Sequence, residues 1–535
     1  GATDVAEVFS TFLYTGNGST QTITNGIDLA GEGGMVWIKE RTRSGTTHDI
    51  YDTERGAGNW ITTTTGAASA QPSGKGLTAF TSSGFSLGQG HNGTENSSGQ
   101  DIASFTFRKK SGFFDCLTYS GNYTAGRTVS HSLGSVPAMI IVKCTSGAED
   151  WAVYHQGSNG GTNPENYKLI LNNTSAAASG YWNSTAPTDS SFTVGAQGEV
   201  NGSGATYVAY LFADNSSEDA EDQMIKCGSF TGTGSAGLEV NLGWEPQWVL
   251  IKNASRATEW MMQDTMRGMS HNGWKYLIPN DNSAESGSAS NKVVPTATGF
   301  TVNNNGSSAF GQSGDTLVYM AIRAPMMVEP EAATDVFAVD NGNGSDVPAF
   351  NSGFPVDMAF WSGTDGGNTK VASRLTGGGY METEGTGAEQ ADTTYTFDHQ
   401  SGWYEAAQTA NKYSWMWKRA KGYMDAVAFS GNGVNGRTLP HSLGVPPEMV
   451  WIKGRNDAAR TWQVLHKDVT NAMKVNENDY GRFTQRISSP TNTTLTLQSS
   501  ISVNGSSKTY IAYLWATLAG ISKVGSFVGN GSSQT

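Results

Sequence analysis

The 535 residues include 15% charged residues and carry a net charge of −13 with a pI near 5.1. This argues against a nucleic-acid partner, which needs clustered Lys and Arg. Aromatic residues make up 10% of the chain, too many for a disordered polymer, and the longest apolar run, YIAYLWATLAGI at 510–521, falls short of the roughly 20 residues that cross a bilayer. A single hydrophobic core is also excluded at this length, because domains of about 100 to 150 residues are the norm.

The first element in chain order is a short strand ending in a Gly/Asn turn, FLYTGNGS at 12, and it returns as CLTYSGNYT at 116, CGSFTGTGS at 227, FAVDNGNGS at 337 and AVAFSGNGV at 426. A sixth opening, VGSFVGNGS, stands at 524. Each is followed by a second strand: GGMVWIK (33–39), PAMIIVK (137–143), PQWVLIK (246–252), VDMAFW (356–361) and PEMVWIK (447–453). These uninterrupted apolar runs predict strands buried on both faces. A closing hairpin completes each unit, as in FSLG leading to IASFTFR and FTVG leading to YVAYLFA. The chain is therefore read as an internal repeat. The predicted fold is all-β, a tandem array of about five β-sandwich, jelly-roll-like domains forming an elongated molecule. Repeats are placed at 1–110, 111–220, 221–328, 329–421 (divergent) and 422–522, with 523–535 the first strand of a further repeat or an exchanged strand. Polar linkers such as DNSSEDAEDQ (214–223) and RAPMMVEPEAATD (323–335) predict beads on a semi-rigid string. The chain opens at Gly1 without Met or signal peptide, which predicts a processed product or part of a longer protein.

What recurs across the repeats is Gly, Pro, Met, aromatics and one Lys, with no carboxylate or His common to all five. A catalytic group used by every repeat is therefore not expected, nor is a cofactor or metal site. Asp52 and Arg55 in DTERG, echoed by Asp264 and Arg267 in DTMRG, read either as a ligand clamp or as a turn with a local Asp–Arg bond. Four loop tryptophans, Trp60, Trp182, Trp274 and Trp403, read as exposed indole platforms for a sugar ring or as pins that hold long loops to the sandwich. The three cysteines lack a CxxC spacing, and Cys116 and Cys227 read as small core fillers. Triplets of the form N-x-S/T at Asn92, Asn122, Asn201 and Asn504 follow from the turn vocabulary.

The stretches VWIKERTRSGTTHDIYDTERGAGNWI (36–61), HSLGSVPAMIIVK (131–143) and HSLGVPPEMVWIKGRNDAARTWQVLH (441–466) resemble repeat domains in virion proteins of marine tailed phages, especially those infecting cyanobacteria. The resemblance implies a structural virion appendage, a tail fibre or similar fibre, assembled in the host cytoplasm and exposed outside the cell. It implies as partners a host-surface glycan or protein and other virion subunits in a homo-oligomer, without membrane insertion. Two alternatives are a depolymerase of host capsule, with Asp357, Glu382, Glu384 and Asp398 as its acids, and a bacterial surface adhesin or filament subunit.

Overall fold

The computed structural model describes residues 3–531 apart from 71–73, 92–93, 274, 288–290, 305, 343, 345, 365, 407–410 and 478–482. In the first repeat, alternating burial along FSTFLYT marks β1 (Phe9–Thr15). It is followed by β2 (Gln21–Thr24), β3 (Gly34–Glu40), β4 (His48–Asp52), β5 (Asn59–Thr62), β6 (Ala68–Ala70), β7 (Leu77–Thr81), β8 (Gly84–Leu87) and β9 (Asp101–Arg108). Two antiparallel sheets result, ordered β1-β9-β3-β4-β5-β6 and β2-β8-β7. The turn after β1 needs glycine, because a Cβ on Gly16 would lie 2.1 Å from the Ser97 carbonyl oxygen.

Every residue of β3 is buried, and two separate cores explain why its apolar run is continuous. Val36 and Ile38 face the small sheet with Ile23, Phe85 and Ile102. Met35 and Trp37 face the other way with Phe105 and Phe107. A side chain on each face of the pleat thus finds an apolar neighbour.

The central ladder recurs in register. Met35 pairs with Asp52 and Phe107, Met139 with His155 and Phe212, and Trp248 with Asp264 and Ile322. Met358 pairs with Ser373 and Trp417, and Met449 with His466 and Trp515. The molecule is a tandem array of all-β repeats, and these registers fix which residues are equivalent between them.

The chain forms two compact units, 1–269 with 274–294 and 299–325, and 326–535 with 270–273 and 295–298. The linkers predict separated beads, but in the first unit the three repeats share one core. Phe9, Met35 and Phe107 of the first, Phe114, Met139 and Phe212 of the second, and Ile225, Trp248 and Ile322 of the third are all at most 2% exposed in it. The outer face of each main sheet is apolar and has to be buried, and the neighbouring repeats bury it.

The second unit is built from the fourth and fifth repeats, with Met358, Met424, Trp515 and Tyr513 in its shared core. No helix among the described residues is long and apolar enough to cross a membrane.

Candidate functional site

The residues singled out in the sequence lie inside the molecule. Trp60 is 8% exposed with its ring 4.3 Å from the His91 ring, Trp182 donates to the Tyr167 carbonyl at 3.0 Å, and Trp403 donates to Ser414 Oγ at 2.9 Å. The expectation of exposed indole platforms is corrected for these three: each ring is buried and pins its loop. Trp274 lies outside the described residues.

The clamp expectation is corrected as well, because both Asp–Arg pairs point inward. Arg55 donates to Asp52 from its backbone N at 2.8 Å and from Nε at 2.6 Å, and Tyr210 of the next repeat donates to the same carboxylate at 2.6 Å. Arg267 makes the same two bonds to Asp264, donates to Glu285 at 2.9 Å and lies 5.5 Å from the Phe105 ring. Glu285 also accepts both Nε and Nη2 of Arg41 at 2.9 Å. Burial alone would raise the Glu285 pKa, but the two guanidiniums pull it down to about 2. These buried, paired charges join repeats, with no face left for a ligand.

Sequence reasoning passed over the tryptophans that do this joining. Trp151 Nε1 donates to the Thr62 carbonyl of the preceding repeat at 3.0 Å, Trp260 to Ile170 at 2.8 Å and Trp462 to Glu382 at 3.0 Å. By register these are one donor position and one acceptor position used three times. His48 holds the donor position in the first repeat, but its Nε2 finds no hydrogen-bond partner among the described residues; the third repeat reaches the first through the Pro279 carbonyl, which accepts from Thr63 Oγ1 at 2.5 Å, and through the Arg41–Glu285 ion pair at 2.9 Å. The first unit is therefore a closed cycle, first to second to third and back to first. The available signal was a Trp four residues before the Asp or His that ends the strand equivalent to β4 in the second, third and fifth repeats.

The recurrent Lys is a local staple. Lys39, Lys143, Lys252 and Lys453 are fully buried, and their ammonium groups donate to carbonyls of the following loop, as Lys143 does to Cys144 at 2.6 Å and Glu149 at 3.0 Å. Burial lowers each pKa to about 8.

Two clusters bring together groups able to hold a cation. In Asp49, His91 and Glu95 the ligand atoms lie within 4.8 Å of one another. Glu95 already accepts Tyr51 Oη at 2.6 Å and the His91 backbone N at 2.7 Å, while burial raises both carboxyl pKa values, so the pair is built to keep a proton. The other, Asp398, His399 and Glu405, lies in the fourth repeat.

That divergent repeat also carries an open cavity of about 430 Å³. The strand Met358–Gly363 brings Trp361, Lys370–Ser373 brings Lys370, Gly379–Glu382 brings Glu382 and Lys412–Trp417 brings Lys412. Lys370 Nζ lies 4.9 Å and Lys412 Nζ 5.5 Å from the Trp361 ring centre. Tyr404 stacks on Trp361 at 6.3 Å and 5° and holds its plane. Gly366 and Gly367 border the cavity at φ +90° and +117°, and a Cβ on either would meet nothing within 4 Å, so the loop backbone stays open to solvent. An indole flanked by two ammonium groups, with one carboxylate fixed by Asn368 Nδ2 at 2.7 Å, suits an acidic sugar: ring on ring, anion on lysine. Of the four acids of the depolymerase reading only Glu382 lines this cavity. Asp357 is taken up by Arg374 Nε at 3.1 Å and the Arg419 backbone N at 2.7 Å.

The family described as Domain of unknown function (DUF7483) matches residues 4–325 and 366–535. The first stretch is nearly coextensive with the three-repeat cycle. No curated protein and no solved structure matches.

Proposed function

The chain belongs to the DUF7483 family, and from that premise we propose that it is a structural subunit of a virion appendage, a tail fibre or similar fibre, that attaches to a host-surface glycan. The observation that carries this reading is the cavity of the fourth repeat, where Trp361, Lys370, Lys412 and Glu382 converge. The joints between repeats support the same reading, because they spend buried Trp, His, Arg and Glu groups on holding domains together. The attachment surface then falls to the repeat that departs from the pattern. The resemblance to phage virion repeats supplies the location and the host surface. A depolymerase would need a second carboxylate across the cavity from Glu382.

The test is retention of the full chain on host cells and on their purified acidic polysaccharide. Trp361→Ala and Lys370→Ala are expected to weaken binding at least ten-fold, and added salt to weaken it further. Equal binding by wild type and both variants, or absence of the protein from purified particles by mass spectrometry, would sink the proposal.

A further inference from the structure

Each repeat shows what the sandwich needs at a given position, and at one place the first repeat departs from the others. The strand registers put Asp49 where the second repeat has Ala152 and the third has Met261. Glu95 stands where they have Val200 and Phe310: Tyr14 Oη donates to the Glu95 carbonyl at 2.7 Å, as Tyr119 Oη does to that of Val200 at 2.7 Å. The fifth repeat has Gln463 and Val503 at these two positions, and the fourth has Lys370, inside its cavity, at the first of them. Three repeats thus close this part of the sandwich with buried, uncharged side chains. Asp49 and Glu95 are both 0% exposed, and burying a carboxylate is costly unless it is paired or holds a metal ion. The fold does not require the two acids, so their presence points to something they hold.

His91 joins the pair. One of its ring nitrogens, one Asp49 oxygen and one Glu95 oxygen lie within 4.8 Å of one another. Asp49 Oδ2 and His91 Nδ1 are buried and find no hydrogen-bond partner among the described residues. Buried polar atoms without a partner are rare in folded chains, and here two of them belong to one three-residue cluster. The remaining oxygens are held in place. Thr47 Oγ1 donates to Asp49 Oδ1 at 2.8 Å, while Glu95 accepts Tyr51 Oη at 2.6 Å and the His91 backbone N at 2.7 Å. The Trp60 ring lies against the imidazole. Lys39, whose charge reaches Asp49, donates its ammonium hydrogens to Thr46 at 2.7 Å. Metal sites surround themselves with outer partners of this kind, which fix the orientation of each ligand. His91 and Glu95 share one turn, closed by Thr94 N donating to the His91 carbonyl at 2.9 Å, and Asp49 comes from β4.

We propose that Asp49, His91 and Glu95 bind one divalent transition-metal ion, Zn²⁺ by their donor types, which ties the loop between β8 and β9 to β4. Two carboxylates and one imidazole make up three protein ligands of a tetrahedral zinc site, with water in the fourth position. Ca²⁺ fits poorly, because it takes about six to eight oxygen ligands. Ligand atoms on one zinc stand about 3.4 Å apart at bonds of about 2.0 to 2.2 Å, so the side chains have at most about 1.4 Å to close. His91 is only partly buried, which gives the ion a way in from solvent. On binding, the ion takes the place of the proton that the two carboxyls otherwise keep between them, and that proton leaves to solvent.

The test is titration of the chelator-treated full chain with Zn²⁺ by calorimetry, together with X-ray absorption of the loaded protein. Zinc is expected in a shell of nitrogen and oxygen, and it is expected to raise the melting temperature of the wild type. His91→Ala, and the double variant Asp49→Ala with Glu95→Val, should each weaken Zn²⁺ binding at least about 100-fold, more than the loss of an outer partner brings, and should remove the rise in melting temperature. The double variant carries the pair that the second repeat already folds with, and circular dichroism checks that it is folded. Should it not fold, His91→Ala, at a partly buried position, carries the test. Three results overturn the proposal: a folded wild type that takes up no Zn²⁺, which leaves a protonated pair only; a zinc–sulfur distance in the absorption spectrum; or binding that survives both variants and falls with Asp398→Asn, which places the ion in the fourth repeat.

Discussion

At the scale of single residues, the groups that matter most are the ones that cross from one repeat to the next. Trp260 is 1% exposed and gives its indole N–H to Ile170 at 2.8 Å, so Trp260→Ala removes a large buried ring and strands a carbonyl. The expected cost is about 3 to 5 kcal/mol, read as a fall in the denaturation midpoint, and a loss below 1 kcal/mol would mean that the joint is dispensable. His155 makes a joint of a different kind: Nε2 donates to the Tyr319 carbonyl at 3.0 Å while Nδ1 accepts from Gly157 N at 3.0 Å, which requires the neutral ring. Burial lowers its pKa from 6.5 to about 4, with the Tyr319 carbonyl and Asp214 opposing. The unfolded chain takes up this proton below pH 6.5 and the folded chain resists it, so the contribution is complete above 6.5 and is lost as pH falls toward 4. Its size is about 3 kcal/mol. Subtracting the stability curve of His155→Gln from that of wild type should leave a slope confined to this window; a flat difference would refute it. The sequence displays both residues in WAVYHQ and TEWMMQD, yet its period shows only a strand. That a side chain aims into another domain is set by how repeats dock, and no local pattern carries that.

At the scale of elements, the all-β repeat was legible because the turn glycines, the apolar second strand and the closing hairpin recur in order. The reason for the continuous apolar run of β3 was legible only in part: burial on both faces followed from the pattern, but the second face turns out to belong to a core shared between repeats. The loop tryptophans misled because polar neighbours in sequence do not report burial; Trp403 is surrounded by Gly and Ser in the chain and by Phe350 and Phe397 in space. The recurring Lys was visible, but its work was not. Each one ties the end of the strand equivalent to β3 to the loop after it, and in the fifth repeat Lys453 Nζ also donates to Thr386 of the fourth at 3.1 Å. Lys453→Met keeps the stem and removes the donor, leaving the Arg460 carbonyl unpaired and the Thr386 carbonyl with only the Arg460 backbone N at 3.1 Å. A loss of about 1 to 3 kcal/mol is expected, together with faster hydrogen exchange in the loop 454–461. Unchanged exchange there would show that the loop holds itself.

At the scale of the whole molecule, cooperativity should follow shared cores, with repeats within a unit melting together. Side chains from three repeats meet in one cluster in the first unit, and side chains from two meet in another in the second. Losing one repeat of the cycle exposes the apolar sheet faces of the other two, so partial unfolding within a unit is costly and a single repeat is a poor folding unit. Calorimetry of the full chain is therefore expected to resolve two transitions and not five. Trp260→Ala identifies the first unit's transition by lowering it alone, as Lys453→Met identifies the second's. Acidification from pH 6.5 to 4 should pull down the transition that Trp260→Ala marks, because His155 belongs to it, and should do so less in His155→Gln. Five separable transitions would show that each sandwich is sufficient alone, and a shift of both transitions by Trp260→Ala would show that the two cores are energetically one.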